Sequence, residues 1–323
     1  MHIVTGGAGF IGSGFVHQLN RMGIEDILIV DNLGSMEKWK NLVNLRYSDY
    51  LHKDNFLSRL SRGDFAGVES IIHMGACSST TEKDADYLMS NNFHYSMKLA
   101  LFCLKNKVRF IYASSAATYG DGSQGFVDDH RQMDNLKPLN MYGYSKQLFD
   151  LWIKKQGLLS GVAGLKFFNV FGPNEYHKED MQSVVRKAYF QIRETGRVRL
   201  FKSYHPEYGH GEQKRDFVYL KDCLEVMAWL LERKDINGIY NLGAGQARTW
   251  NELAKAVFQA MHVRPDIEYV DMPVELRGKY QYYTCAPMDK LGNAGCPVKF
   301  HSLEDGVRDY VQNYLNREDP YLG

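Results

Sequence analysis

The sequence lacks most features that mark secreted, membrane-spanning or nucleic-acid-binding proteins. Its five cysteines are spread over 323 residues without C-x-x-C spacing, which argues against a zinc site or a disulfide scaffold and predicts reduced thiols. No run of about 18 apolar residues is present, so we predict no membrane span. The 39 Lys and Arg balance 38 Asp and Glu, which leaves no basic field for nucleic acid. A small-molecule partner is therefore the better expectation.

The start of the chain has little room for a targeting segment. Ile3 and Val4 already read as part of a short strand that leads into a glycine-rich turn. We therefore expect no signal peptide and a cytoplasmic protein. A chain of this length that is 44% hydrophobic can bury a large core, so we expect one large domain with a smaller lobe.

The glycine-rich turn is the first sign of function. Gly6, Gly9 and Gly12 form G-x-x-G-x-x-G directly after the apolar run and directly before a helix-like segment. In a βαβ unit, such glycines allow a tight turn and let a pyrophosphate approach bare backbone N–H groups. The next apolar run, Ile27–Val30, ends in Asp31, where a carboxylate can hold an adenosine ribose. The pattern predicts a bound dinucleotide more strongly than an ordinary strand–turn–helix corner.

Strand-like and helix-like segments alternate through the first half of the chain. Further β-rich runs lie at Val68–His73, Arg109–Ala113 and Val162–Phe168, and Met89–Leu104 has helical spacing. This order predicts an α/β protein with a Rossmann-type, doubly wound parallel sheet. We assign residues 1–170 to an NAD(P)-binding domain, with returning segments near 216–245.

The second half of the chain is less regular. Residues 171–323 are predicted to form mainly a smaller, mixed α/β substrate-binding lobe. Ser183–Arg193 is helix-like, and the segments 249–262 and 302–315 each begin with a capping-box pattern, Thr249 with Glu252 and Ser302 with Asp305.

The chemical signal lies in the stretch "NMYGYSK". Tyr142 and Lys146 are four residues apart and share one face of a helix. We expect the ammonium, together with an oxidised nicotinamide, to lower the phenol pKa and make an acid/base device. Ser114 and Ser115, after the preceding strand, are placed to hydrogen-bond a reacting hydroxyl. Taken alone, Tyr-x-x-x-Lys in a chain with 21 tyrosines fits a surface pair better, but together with the two serines it favours the acid/base interpretation.

Together these motifs resemble the extended short-chain dehydrogenases/reductases that act on nucleotide sugars. The resemblance covers nearly the whole chain. It is carried by the glycine fingerprint, Tyr142 with Lys146, and the stretches "SSAATYG" at 114–120, "FFNVFGP" at 167–173 and "KRDFVYLKD" at 214–222. The finer stretches "DNLGSMEKW", "GACSSTTE", "MYGYSK" and "GPNEYHK" narrow it to enzymes that epimerise C6 of an ADP-linked heptose, a precursor of the lipopolysaccharide core.

The resemblance implies roles for individual residues. It makes Tyr142, Lys146, Lys178 and Ser115 catalytic. Besides Tyr142 and Lys146, it implies cofactor contacts for Gly6, Gly9, Phe10, Ile11, Gly12, Asp31, Asn32, Lys38, Lys53, Met74, Gly75, Ala76, Cys77, Ser78, Asn91 and Val170. It implies substrate contacts for Ser115, Asn169, Asp180, Lys187, Phe201, Arg215 and Tyr280. For Gly75, Ala76 and Ser78, close packing of a loop is a nearly equal alternative, but their common position at the sheet edge favours cofactor contact.

Some positions depart from the family pattern. Asp180 and Lys187 replace a serine and a histidine, and the loop between Tyr204 and Arg215 is longer than in the family. Lys178 is flanked by acidic residues that would raise its pKa, so a surface charge is the alternative to a second base. A metal site from the loop residues His205, Glu207 and His210 is disfavoured, and we predict none.

Cofactor and assembly follow from the same resemblance. Asp31 suits NAD, whereas Lys38 and Lys53 supply the charge that NADP needs; we predict NADP, with Asp31 satisfied by backbone N–H groups. A homo-oligomer, a pentamer or a pair of pentamers, is expected. The alternatives are a UDP-hexose 4-epimerase and a non-catalytic NAD(P)-sensing module. A 4,6-dehydratase is disfavoured because Ala116 and Ala117 stand where that class carries an Asp-Glu pair.

Overall fold

A seven-stranded, wholly parallel sheet forms the centre of the protein. The computed structural model describes residues 1–35, 37–277 and 280–323. The strands of this sheet are β1 (His2–Thr5), β2 (Ile27–Asp31), β3 (Asp49–His52), β4 (Ser70–His73), β5 (Arg109–Ser115), β6 (Ala163–Phe167) and β10 (Gly238–Leu242). Their order is β10-β6-β5-β4-β1-β2-β3, so the chain runs outward from β1 in both directions. This confirms the predicted Rossmann-type, doubly wound sheet.

Five further strands lie outside the central sheet. They are β7 (Asn169–Phe171), β8 (Val198–Phe201), β9 (Lys214–Tyr219), β11 (Ala247–Thr249) and β12 (Ile267–Val270). β9 pairs in parallel with β7 and antiparallel with β11, while β8 and β12 form a parallel pair. β8, β11 and β12 lie in the range predicted for the substrate-binding lobe, whereas β7 and β9 lie partly in the segments assigned to the NAD(P)-binding domain.

The helices cover both faces of the large sheet and fill the lobe. They are α1 (Phe10–Arg21), α2 (Lys53–Arg62), α3 (Ala85–Leu88), α4 (Tyr95–Asn106), α5 (Met141–Lys155), α6 (Val184–Thr195), α7 (Leu220–Glu232), α8 (Trp250–Ala260), α9 (Val274–Arg277), α10 (Asp289–Asn293) and α11 (Leu303–Tyr310). Within the described ranges, no helix has the length and apolar character needed to cross a bilayer.

Alternation along the strands produces two separate cores. Val4 and Ile29 face a cluster that includes residues of α1 and α7, whereas Ile3 and Leu28 face a cluster that includes residues of α2, α4 and α5. Neighbouring residues of one strand therefore bury into opposite layers, as the two-residue period of a strand requires. A third cluster, built largely from α6, α8 and α11, lies in the smaller lobe.

Several local predictions differ from the structure. Met89–Leu104 is not one helix, because a π-helical turn at Met89–His94 precedes α4. The capping box of Thr249 and Glu252 is confirmed, with both reciprocal hydrogen bonds present. At α11 only half of the capping box forms. The Ser302 hydroxyl accepts a hydrogen bond from the Asp305 N–H, as the box requires. The Asp305 carboxylate, however, accepts from the Ser302 hydroxyl.

Candidate active site

The glycine-rich turn connects β1 to α1 and is too tight for side chains at two positions. Gly6 has φ +66°, and a Cβ there would lie 2.5 Å from the backbone N of Gly75. A Cβ on Gly12 would lie 2.0 Å from the carbonyl oxygen of Gly6. Gly9 is less confined, and it precedes α1, whose N-terminus has no side-chain cap. The first N–H groups of α1 are therefore available to an anionic group, which fits the pyrophosphate of a dinucleotide.

Asp31, at the end of β2, is bound within the protein. Its carboxylate accepts hydrogen bonds from the backbone N–H groups of Ala8 (2.9 Å) and Asn32 (2.7 Å). It also forms a 2.8 Å ion pair with Lys38, and only 7% of Asp31 is exposed. This arrangement agrees with an aspartate that is turned away from a ribose and with a lysine that stands beside it.

Two other predicted cofactor residues contact each other directly. The ammonium of Lys53 donates a 2.6 Å hydrogen bond to the side-chain oxygen of Asn91. Lys53 opens α2 and Asn91 lies in the π-helical turn, so this bond brings together segments far apart in sequence.

The loop Met74–Ser78 follows β4 and packs its Gly75 against Gly6. Asn92, which the sequence analysis missed, holds this loop through two 2.9 Å hydrogen bonds with the backbone of Cys77. The same amide donates to the hydroxyl of Ser145, the residue before Lys146. Asn92 contacts both segments because it lies in the π-helical turn, and a π-helical turn cannot be predicted from sequence periodicity.

His73, at the end of β4, is a second residue that the sequence analysis missed. Its two ring nitrogens lie 2.6 Å from the hydroxyl of Thr5 and 2.7 Å from that of Ser96. Complete burial lowers the pKa of His73 to about 3, so the ring is neutral at physiological pH. This neutral ring joins β1, β4 and α4 directly beneath the glycine-rich turn.

Tyr142 and Lys146 lie in the first two turns of α5, which Asn140 caps. The ammonium of Lys146 donates a 2.7 Å hydrogen bond to the carbonyl of Ala113, and burial lowers its pKa to about 8. The surface-pair alternative is therefore wrong. Burial raises the pKa of Tyr142, and a hydrogen bond with Ser115 opposes that shift. The expected lowering of the phenol pKa is thus not seen in the protein alone, because desolvation outweighs the hydrogen bond with Ser115.

Lys178 lies in a short 3₁₀ segment, Tyr176–Met181, beside the start of α1. Its ammonium is 5.0 Å from the centroid of the Phe10 ring, at the first residue of α1. Burial lowers the pKa of Lys178, although the buried Glu175 opposes the shift. Glu179 and Asp180 are exposed. The alternative of a flanked surface charge with a raised pKa is therefore wrong.

The predicted substrate residues fall into two groups. Arg215, on β9, lies 5.2 Å from the ring centroid of Tyr280 and 5.8 Å from that of Trp250. Tyr280 accepts a 2.9 Å hydrogen bond from Trp250, so these three side chains form one cluster. Lys187 donates to the carbonyl of Asp180, which brings the two positions that depart from the family pattern together.

Three further predicted substrate and cofactor positions lie on short strands outside the central sheet. Asn169 and Val170 belong to β7 and pair with Phe217 and Val218 of β9. Phe201 ends β8 and is 37% exposed.

The loop histidines take part in ordinary packing contacts. The His205 ring lies 5.0 Å from that of Tyr282, and His210 accepts a hydrogen bond from the Ser203 N–H. In the part of the chain that the structure describes, no three His, Cys, Asp or Glu side chains cluster as metal ligands would.

Comparisons with known proteins agree with this geometry. The sequence profile of the NAD dependent epimerase/dehydratase family matches residues 2–243. An ADP-L-glycero-D-manno-heptose-6-epimerase of Nitratidesulfovibrio vulgaris is 62% identical over 323 residues, covering 100% of both chains. One of Fusobacterium nucleatum is 49% identical, again covering 100% of both chains.

Solved structures show the same fold. The crystal structure of the Helicobacter pylori ADP-L-glycero-D-manno-heptose-6-epimerase has a TM-score of 0.81 at 27% identity, covering 97% of this chain and 95% of that one. A UDP-N-acetylglucosamine 4-epimerase from Methanobrevibacter ruminantium has a TM-score of 0.81 at 25% identity, covering 96% of each.

Taken with the glycine-rich turn and the Tyr142–Lys146 pair, these matches define the class: the chain belongs to the NAD dependent epimerase/dehydratase family. Within that family it is an epimerase, and therefore an isomerase.

Proposed function

We propose that this epimerase converts ADP-D-glycero-D-manno-heptose into its L-glycero epimer by inverting C6 of the heptose through a transient 6-keto sugar. The names of the full-length relatives at 62% and 49% identity support this substrate. The observation that carries the mechanism is the presence of two partly buried acid/base side chains on different segments: Tyr142 on α5, and Lys178 beside Phe10 at the start of α1. The product would serve as a precursor of the lipopolysaccharide core.

The residues around the glycine-rich turn fit a dinucleotide, and we propose NADP. The N-terminus of α1 would hold the pyrophosphate, while Lys38 and Lys53 would supply charge to a 2′-phosphate. Asp31 is already neutralised by Lys38 and two backbone N–H groups, so it would repel that phosphate less. The nicotinamide, when bound, supplies hydride chemistry at C6.

The chain's own residues would move protons at the C6 oxygen. Tyr142 would take the hydroxyl proton on one face, with the Ser115 hydroxyl as its hydrogen-bond partner. Lys146, fixed by the Ala113 carbonyl, would keep positive charge beside the phenol. Inversion presents the oxygen to a different place, and there Lys178 would return the proton. Arg215 and Tyr280 would hold the nucleotide end while the sugar reorients.

A proton NMR time course with ADP-D-glycero-D-manno-heptose tests this function. Appearance of the L-glycero epimer, with no net change in cofactor oxidation state, is the expected result. A parallel incubation with UDP-galactose tests the 4-epimerase alternative, which is supported by the fold similarity to a UDP-N-acetylglucosamine 4-epimerase. Turnover of UDP-galactose without turnover of the ADP-heptose contradicts the proposal.

We also propose a homo-oligomer, a pentamer or a pair of pentamers. The large exposed side chains Trp39 and Val43, which are 51% and 63% exposed on one chain, are compatible with a subunit contact. Light scattering at micromolar concentration tests this, and a monomeric mass contradicts it.

A further inference from the structure

A buried ion pair lies directly behind the proposed catalytic side chains. Asp150 is one helical turn after Lys146 on α5, and Lys166 is on β6. The Lys166 ammonium lies 2.7 Å from the Asp150 carboxylate, and the two side chains are 1% and 0% exposed. No role assigned so far to the site uses either residue.

Hydrogen bonds connect this pair to the elements that carry the proposed catalytic residues Tyr142, Lys146 and Ser115. The hydroxyls of Tyr112 and Ser114, on β5, donate to Asp150 at 2.9 and 2.6 Å. Lys166 donates to the Thr118 hydroxyl at 2.7 Å, and Thr118 donates to the carbonyl of Ser115 at 2.8 Å. The pair therefore joins the helix of Tyr142 and Lys146 to the strand end that bears Ser115.

The net contribution of the Asp150–Lys166 ion pair to the free energy of unfolding is expected to be small. Desolvating two charges can cost as much as their attraction returns, and apolar side chains of similar volume often stabilise a core equally well. A buried pair whose hydrogen bonds connect α5 to the end of β5 and to Thr118 is better explained by what it does to the site that these elements carry. Asp150 also acts on Lys146 through its charge, because it opposes the effect of burial on the Lys146 pKa.

We propose that Asp150 and Lys166 are positioning residues for the epimerase site: they hold the strand end of Ser115 against the helix of Tyr142 and Lys146 and keep the charge behind these groups balanced. This inference rests on the proposed catalytic roles of Tyr142, Lys146 and Ser115. Neither Asp150 nor Lys166 touches substrate in this proposal.

The balance of charge makes a prediction that simple packing does not. Removing Asp150 leaves the positive Lys166 behind the site and favours the phenolate, whereas removing Lys166 leaves the negative Asp150 and disfavours it. The other titratable groups facing Asp150 are Tyr112 and Lys146, with Tyr119 and His130 also sensing its charge. His73 senses Lys146. None of these residues is itself substituted, although Asp150→Asn also removes the charge that opposes the effect of burial on the Lys146 pKa.

The test is a titration of Tyr142 in the purified protein with oxidised NADP bound. Tyrosines carrying a ¹³Cζ label are followed by NMR, and the Tyr142 signal is identified by its loss in Tyr142→Phe. Asp150→Asn should lower the Tyr142 pKa and Lys166→Met should raise it, each by up to about one pH unit. Lys166→Arg, which keeps the charge, should leave it near the wild-type value.

The chain offers a matched control in its smaller lobe. Asp309 accepts 2.6 Å hydrogen bonds from Tyr219 and Lys221, the same two types of donor that Asp150 has. Asp309→Asn should leave the titration of Tyr142 unchanged. This readout needs no sugar substrate, so it tests the pair even if the wild-type protein fails to turn over the ADP-heptose, a result that would count only against the proposed function.

A double variant covers the case in which a single variant does not fold. Asp150→Asn with Lys166→Met removes both charges, so circular dichroism should show a folded protein with bound cofactor. Because its hydrogen bonds are lost, kcat should fall at least tenfold while KM stays within twofold of wild type. Opposite shifts in the single variants support the proposal. Unshifted single variants, or a double variant with wild-type kcat, overturn it.

Discussion

The site contains two lysines, the buried Lys146 and the partly buried Lys178, that are held in different ways. Lys146 lies on a 15-residue helix, its ammonium bonds to the carbonyl of Ala113, and the Asp150–Lys166 pair supports it from behind. Lys178 lies on a short 3₁₀ segment in which the following residue, Glu179, has φ +45°. The Lys178 ammonium faces the Phe10 ring. Burial lowers the pKa of both lysines.

The difference separates two uses of a lysine. A charge that must stay in place beside a phenol benefits from a fixed hydrogen-bond acceptor, which the regular helix and strand provide. A lysine that accepts and returns a proton needs a lowered pKa and a position beside the reacting atoms more than a permanent partner. We therefore infer that Lys146 maintains charge and Lys178 exchanges protons.

The largest expected effect comes from removing either of the two proposed acid/base groups, Tyr142 or Lys178. Tyr142→Phe and Lys178→Met should each reduce epimerisation by between about 100-fold and 10,000-fold, since each removes one acid/base group. NMR of the heptose product measures the rate, and cofactor retention should be unchanged. Lys155→Met, which alters an exposed lysine at the end of α5, is the control.

The same variants also test whether the two bases are independent. Each should still dismutate a C6-aldehyde analogue of the substrate, because one remaining base can serve one face. If Lys178→Met epimerises at the wild-type rate, the two-base model is wrong and Tyr142 must serve both faces.

A third lysine sharpens the comparison because it is held by an ion pair. Lys38→Ala removes the charge beside Asp31 and should weaken NADP binding by about 10- to 100-fold while changing NAD binding little, since only NADP carries a 2′-phosphate. Calorimetry on cofactor-free protein measures both affinities. Lys40→Ala, which removes a lysine paired with Glu37, should change neither. Equal losses for the two cofactors would argue against NADP.

Much of this site was predictable because its signals are local. The glycine spacing and the four-residue spacing of Tyr142 and Lys146 are visible along the chain. Asn92, His73 and Lys166 were not predicted, because their partners lie far away in sequence and only the fold brings them together. Strand β3 was missed because Asp49–His52 is a short edge strand without a buried alternation.

The pH dependence of kcat tests the role of Lys146. Its pKa is about 8, so the ammonium is lost as pH rises through that value and kcat should fall about tenfold per pH unit above it. Lys146→Arg should remove this alkaline decline in whatever activity remains, since guanidinium stays charged. An alkaline limb that persists at the same pH in Lys146→Arg assigns it to another group.

The smallest expected effect concerns Glu175. Its carboxylate raises the pKa of Lys178 against the effect of burial, so Glu175→Gln should let Lys178 act as a base at lower pH. The acidic limb of kcat should move down by less than one unit. Glu179→Gln, at an exposed neighbour, should leave the limb in place. A shift to higher pH would contradict this account of Lys178.

The direct connection of β9 to α7 has a mechanical consequence. β9, which carries Arg215, continues at Tyr219–Leu220 directly into α7, so the strand and the helix are joined without an intervening loop. α7 lies close against α1, where a Cβ on Gly14 would come within 3.2 Å of Leu220 and Leu224. A displacement of β9 at Arg215 would therefore be transmitted through α7 to α1, the helix that starts at the glycine-rich turn.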